Sequence, residues 1–111
     1  MHDRRYKRKA QILKAMAHPS RLAILEALAD KELCVCELQR LIGSDMSTVS
    51  KHLGVMKAAG LLEDRKEGLR VHYRLRVPCV LNFMGCIEAV VAGEQAGEET
   101  AALALGRGGK A

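Results

Sequence analysis

Two cysteines stand one residue apart in ELCVCEL, residues 32–38. Thiolates are soft ligands that select thiophilic ions, so Cys34 and Cys36 are a candidate chelating pair. On a regular α-helix, positions i and i+2 point about 200° apart. Placing both sulfurs on one ion would therefore require the helix to unwind or distort. The competing reading is packing, since free cysteine often serves as a small core hydrophobe. Cys79 and Cys86 complete the four cysteines of the chain. Seven residues apart, they share a helix face but are separated by roughly 10 Å of helical rise, too far to bind one ion together. Either could add a third sulfur to Cys34 and Cys36, and Cys79, near a helix start, is preferred. A thiol-redox sensor would instead pair one cysteine of ELCVCEL with one of the later two. Enzymatic thiol chemistry is not expected, because C-V-C is not the C-x-x-C of thioredoxin-like folds and no βαβ pattern surrounds it.

A second set of residues suits nucleic acid. In SDMSTVSKHLGVMKAAG, Ser47, Thr48, Ser50 and Lys51 lie away from the apolar Val49–Leu53–Met56 stripe. A reading helix needs this pattern: small polar or basic groups at its N-terminal end and a buried opposite face. Lys51 can reach a base edge or a phosphate, and the hydroxyls can do either. Arg65, Lys66 and Arg70 follow around a turn, and Arg74 and Arg76 extend the basic stretch. Glu63, Asp64 and Glu67 weaken the patch without cancelling it. His52 and His72 each stand isolated in the sequence and are read as packing or polar-satisfying groups.

The elements that must position these groups are mainly helical. Apolar residues make up 49 % of the 111 residues and aromatics only 3 %, so the core is aliphatic and rich in helix formers. Residues 1–9 read as a basic arm. Ile12, Leu13 and Met16 mark a first helix. Pro19, at a first helical position, opens a second with Leu22, Ile24, Leu25 and Leu28 on its apolar face. Val35, Leu38, Leu41 and Ile42 give a third, stopped by Gly43. Asp45 is placed to cap the fourth by accepting from the N–H of Ser47 or Thr48, and Gly60 ends it. Helices three and four, joined by the short GSD segment, make a helix-turn-helix. Leu62–Arg65 and Arg70–Leu75 read as two strands with Glu67-Gly68 as their turn. Leu81, Met84, Ile87 and Val91 then return to helical spacing. Residues 10–93 are expected to form one domain, followed by a disordered Gly/Ala-rich tail over 94–111.

The net charge of +5 favours an anionic partner, nucleic acid before a membrane surface. No segment approaches the roughly 20 apolar residues of a spanning helix, and no signal-peptide core follows the charged start. A cytoplasmic protein with reduced thiols is the expectation. The stripes Ile12–Leu13–Met16 and Leu81–Met84–Ile87 have no evident partner in so small a core, which favours a two-fold dimer.

HPSRLAIL, ELCVCEL and STVSKHLGVMKAAGLLEDRKEGLRVHYRL, in this order and spacing, resemble the ArsR/SmtB family of bacterial metal-responsive repressors over about residues 10–76. The resemblance implies a mainly α winged helix-turn-helix fold, with about five helices and a two-stranded wing. It implies a homodimer joined through the first and last helices, on double-stranded operator DNA with inverted half-sites. Repression would belong to the inducer-free protein. ELCVCEL is similar to the inducer box of the arsenic- and antimony-responsive members. That implies As(III) or Sb(III) as inducer, held by Cys34 and Cys36, with Cd(II) or Pb(II) as alternatives. The box often has a third cysteine where this chain has Gln39. No histidine follows His72, which excludes the zinc site of other members, built from His and carboxylates on the last helix.

Overall fold

A computed structural model describes residues 3–108, with side chains through residue 97. Its elements are α1 (Asp3–Met16), α2 (Pro19–Ala27), β1 (Leu33–Cys34), α3 (Val35–Ile42), α4 (Met46–Ala58), β2 (Leu62–Glu67), β3 (Arg70–Leu75) and α5 (Val80–Gly108). The chain divides after Pro78 into two units.

In the first unit, α2, α3 and α4 close around Ile24, Leu25, Leu38, Val49, Leu53 and Met56, all fully buried. Each such side chain contributes about 1.5–3 kcal/mol by leaving water. Met16 is also buried. It thus belongs to the protomer's own core and not to the exposed dimer stripe expected of it. Leu13 remains 49 % exposed, and Leu41, one of the apolar residues whose spacing marks the third helix, is 64 % exposed.

The basic arm expected over residues 1–9 is helical from Asp3 onward; Met1 and His2 lie outside the described residues. Lysine and arginine are good helix formers, and Asp3 pairs with Lys7 one turn on, at 3.2 Å.

The sheet has three antiparallel strands in the order β1-β3-β2, one more than expected. β1 pairs Leu33 with Tyr73 and Cys34 with His72, while β2 runs the length of β3 from Leu62↔Leu75 to Glu67↔Arg70. The connection is therefore Gly68-Leu69, one residue beyond the expected turn. Gly68 has φ 62°, as required at the first position of a two-residue hairpin turn with one positive φ.

In the second unit, α5 runs unbroken from Val80 to Gly108. The tail expected to be disordered from residue 94 is thus helical to Gly108, and residues 109–111 lie outside the described residues. Ala, Glu and Gln in this stretch favour helix strongly enough to carry it past Gly93 and Gly97. Among the described residues, no helix is long and apolar enough to cross a membrane.

Candidate nucleic-acid interface and thiol pair

The presentation of α4 is set at its two ends. Gly43 closes α3 in the left-handed region, φ 81°, with its N–H on the Gln39 carbonyl at 2.8 Å. Two residues later the Asp45 carboxylate accepts from the Thr48 N–H at 2.7 Å and from the Ser47 hydroxyl at 3.0 Å. These bonds hold the Asp45 carboxyl below its ordinary pKa, the Thr48 backbone N–H contributing most. Val49, Leu53 and Met56 point into the core, so Ser47, Ser50 and Lys51 are left exposed and Thr48 half-exposed. Ser47 thus spends its hydroxyl proton on the cap, while Ser50 and Lys51 face outward.

The basic residues of the wing fall into two groups. Lys66 and Arg70 are exposed and, with Lys51, have no acidic partner among the described residues. Arg65 differs. Its guanidinium is held by Glu32 at 2.7 Å and Glu67 at 2.6 Å. The Glu32 carboxylate, and after it Glu67, pushes the guanidinium pKa up, so the cation is permanent but already compensated. Arg65, expected to contact DNA, ties β2 to the segment leading into β1. Arg74 pairs with Glu63 at 2.8 Å, Lys57 with Asp64 at 3.0 Å, and Arg76 reaches the Gly60 carbonyl at 3.5 Å.

The thiol pair is not built as two positions of one helix. Cys34 closes β1 and is the N-cap of α3, with extended backbone, φ −81° and ψ 161°. Only Cys36 is inside the helix. Cys34 is buried and Cys36 exposed. The Glu37 carboxylate accepts the Cys34 backbone N–H at 3.0 Å. That N–H first, and then the Cys34 thiol, lowers the Glu37 pKa. The obstacle to a shared ion is therefore a helix cap and a two-residue strand, which yield more easily than a helix interior. Cys79 and Cys86 are exposed. Among the described residues, no three His, Cys, Asp or Glu side chains are gathered in a metal-binding cluster.

His52 is not isolated. It is buried on the inner side of α4, its ring centroid 4.4 Å from that of His18, and its Nδ1 accepts from Arg21 Nε at 3.0 Å. No sequence spacing signals this group, because Arg21 and His52 are 31 positions apart.

A capped, outward-facing helix beside a hairpin with free cations defines a class: a winged helix-turn-helix DNA-binding transcription regulator, and not an enzyme. Residues 18–64 match the model of bacterial regulatory proteins of the arsR family. An uncharacterised HTH-type transcriptional regulator of Mycobacterium tuberculosis is 34 % identical over 88 residues, covering 78 % of this chain and 77 % of that protein. A crystal structure from M. tuberculosis superposes with a TM-score of 0.74 at 32 % identity, covering 84 % of this chain and 94 % of that one. The solution structure of a homodimeric winged helix-turn-helix DNA-binding domain from Mycobacterium bovis, a possible ArsR-family regulator, gives 0.73 at 31 % identity, covering 86 % and 91 %. The arsenical resistance operon repressor of Escherichia coli is 42 % identical over 66 residues, or 59 % of this chain and 56 % of that protein. The chain belongs to the ArsR family of bacterial regulatory proteins.

Proposed function

We propose that the protein is a homodimeric, cytoplasmic repressor that holds an operator of inverted half-sites and releases it when a soft ion, As(III) or Sb(III), is captured by Cys34 and Cys36. Cd(II) or Pb(II) would suit the same sulfurs. The observation that carries the reading is the position of Cys34. It is at once the cap of α3, the end of β1 and the cross-strand partner of His72 in the wing. The donor set fits a thiophilic ion, with two sulfurs one residue apart at a helix start. Cys34 is buried and Cys36 exposed, so Cys34 must leave the core to share an ion with Cys36. That movement opens the Glu37–Cys34 cap and loosens β1 from β3. Because α3 packs on α4 and β3 belongs to the wing, both DNA-facing elements lose support. Ion binding and DNA binding then oppose each other reciprocally. Cys79 or Cys86 supplies the third sulfur that Gln39 does not.

On the DNA side the reading assigns Thr48, Ser50 and Lys51 to the major groove and Lys66 and Arg70 to the adjacent backbone. The dimer would form through α1 (Ile12, Leu13) and α5 (Leu81, Met84, Ile87). On α5, Phe83, Ile87, Val90 and Val91 are 40–61 % exposed, and on α1 Leu13 is 49 % exposed; exposed apolar side chains of this kind suit a self-complementary interface. The similarity to the homodimeric M. bovis domain supports the assembly, and that to the E. coli arsenical resistance operon repressor supports the inducer.

The test is arsenite titration of reduced protein on labelled operator, read by fluorescence anisotropy. Release is expected for wild type, and no release for Cys34→Ser or Cys36→Ser. Release that survives in both variants would refute the assignment. A second reading, a thiol-redox sensor, is favoured by the exposure of Cys36 and Cys86 to oxidants. It requires release by peroxide and none by arsenite.

A further inference from the structure

We propose that His18, Arg21 and His52 form a proton-sensitive latch that sets the recognition helix, so that acidification weakens DNA binding. His52 is the only buried polar or charged residue among the described residues. Its Nδ1 accepts from Arg21 Nε at 3.0 Å, and the same guanidinium reaches the Ala15 carbonyl at 3.4 Å. One arginine thereby bridges the end of α1, the first turn of α2 and the middle of α4. The tilted His18 ring rests against His52 at 4.4 Å. His18 also caps α2, its own Nδ1 accepting the Ser20 N–H at 3.1 Å.

His52 uses Nδ1 as an acceptor, so its ring must be neutral with the proton on Nε2. A second proton on the His52 ring destroys that bond. It also sets a cation against Arg21. The groups acting on His52 are Arg21 and His18 from α2 and its cap, and Lys51 from α4 itself. α1 contributes the Ala15 carbonyl, which holds Arg21. On β2, Asp64 is engaged by Lys57. Among the described residues, no carboxylate of α3 or β2 acts on His52 to offset these cations. Burial first, and then His18, Arg21 and Lys51, holds its pKa below the ordinary 6.5. With the folded value depressed, the stabilisation by neutral His52 is complete above the unfolded value. It is lost as the pH falls through 6.5 and then through the depressed folded value.

The sign is diagnostic. A proton added to a DNA-binding protein ordinarily raises affinity for a polyanion. Here the protons move the helix that carries Lys51 and Ser50, next to His52 in sequence. His18 and Arg21 are positioning residues that act through His52.

The test uses the full chain and the tightest duplex selected from a random-sequence pool. Affinity is measured from pH 8 to 5.5 at fixed salt, alongside far-UV circular dichroism. Wild type should weaken on acidification, by up to about tenfold at pH 5.5 because the folded value lies below 6.5, while the dichroism holds. His52→Gln keeps an acceptor for Arg21 and cannot titrate. It should match wild type at pH 8 and stay level on acidification. Affinity that is flat or rises in wild type, a loss that only tracks unfolding, or a His52→Gln variant with the wild-type acid loss would each overturn the latch. Should His52→Gln not fold, the ring 15N shifts of wild-type His52 decide. The neutral Nε2–H form must persist at pH 6.5, and a charged ring there overturns the proposal.

Discussion

The division of the wing cations into free and compensated makes a quantitative prediction for DNA binding. Lys51, Lys66 and Arg70 are exposed and without an acidic partner among the described residues, whereas Arg65 is held by Glu32 at 2.7 Å and Glu67 at 2.6 Å. Each phosphate neutralised releases counterions and adds about 0.9 to the slope of log affinity against log salt. In the proposed dimer Lys51 occurs twice, so Lys51→Ala should lower that slope by about 1.8. Between 50 and 200 mM salt, wild type should then lose about tenfold more affinity than the variant. Lys66→Ala and Arg70→Ala should behave alike where each meets a phosphate. Arg65→Ala should leave the slope unchanged, because its charge is already matched by carboxylates, while loosening the tie between β2 and the segment before Cys34. The assay is fluorescence anisotropy on one duplex at four or more salt concentrations. An unchanged slope for Lys51→Ala, or a fall of about 1.8 for Arg65→Ala, would refute the assignment of charges.

Leu53, fully buried in the middle of α4, should cost about 3 kcal/mol when cut to alanine, seen as a lower urea midpoint at fixed protein concentration; a loss below 1 kcal/mol would mean that the α4 core collapses around the gap. Gly43→Ala should destabilise by roughly 1–2 kcal/mol, because φ 81° is left-handed and the space around it is open, leaving backbone strain as the whole effect. Asp45→Asn should keep the cap of α4 and Asp45→Ala should lose it, with operator affinity following the cap. Because the Thr48 and Ser47 bonds depress the Asp45 pKa below 3.8, the stability they give is present above that value and lost as pH falls through the folded value. In Asp45→Asn that acid-dependent loss should be absent from the urea midpoint.

Local chemistry made much of this fold legible. Pro19 opens α2, Gly43 stops α3, Asp45 caps α4, and Val49, Leu53 and Met56 are buried together. Each rests on interactions within a few residues, which a spacing pattern records directly. The errors lie where neighbours in sequence are not the deciding partners. Met16 looked like part of an exposed stripe and is core. Leu41 shares the helical spacing that marks α3, yet it is exposed while Leu38 is buried. The stop expected at Gly93 did not hold, since single glycines cost a helix only about 1 kcal/mol each.

The sequence by itself determined the elements and the chemical types: an aliphatic helical core, a reading helix with polar residues facing away from its apolar stripe, a basic hairpin and a close pair of thiols. Only the tertiary structure decided which of those groups are available. Arg65 meets Glu32 across 33 positions and His52 meets Arg21 across 31. Cys34 becomes a strand end and helix cap because β3 pairs with it from residue 72. Charge and softness belong to a side chain wherever it lies. Compensation, burial and strand pairing depend on residues brought close by folding, and no periodicity along the chain carries that information.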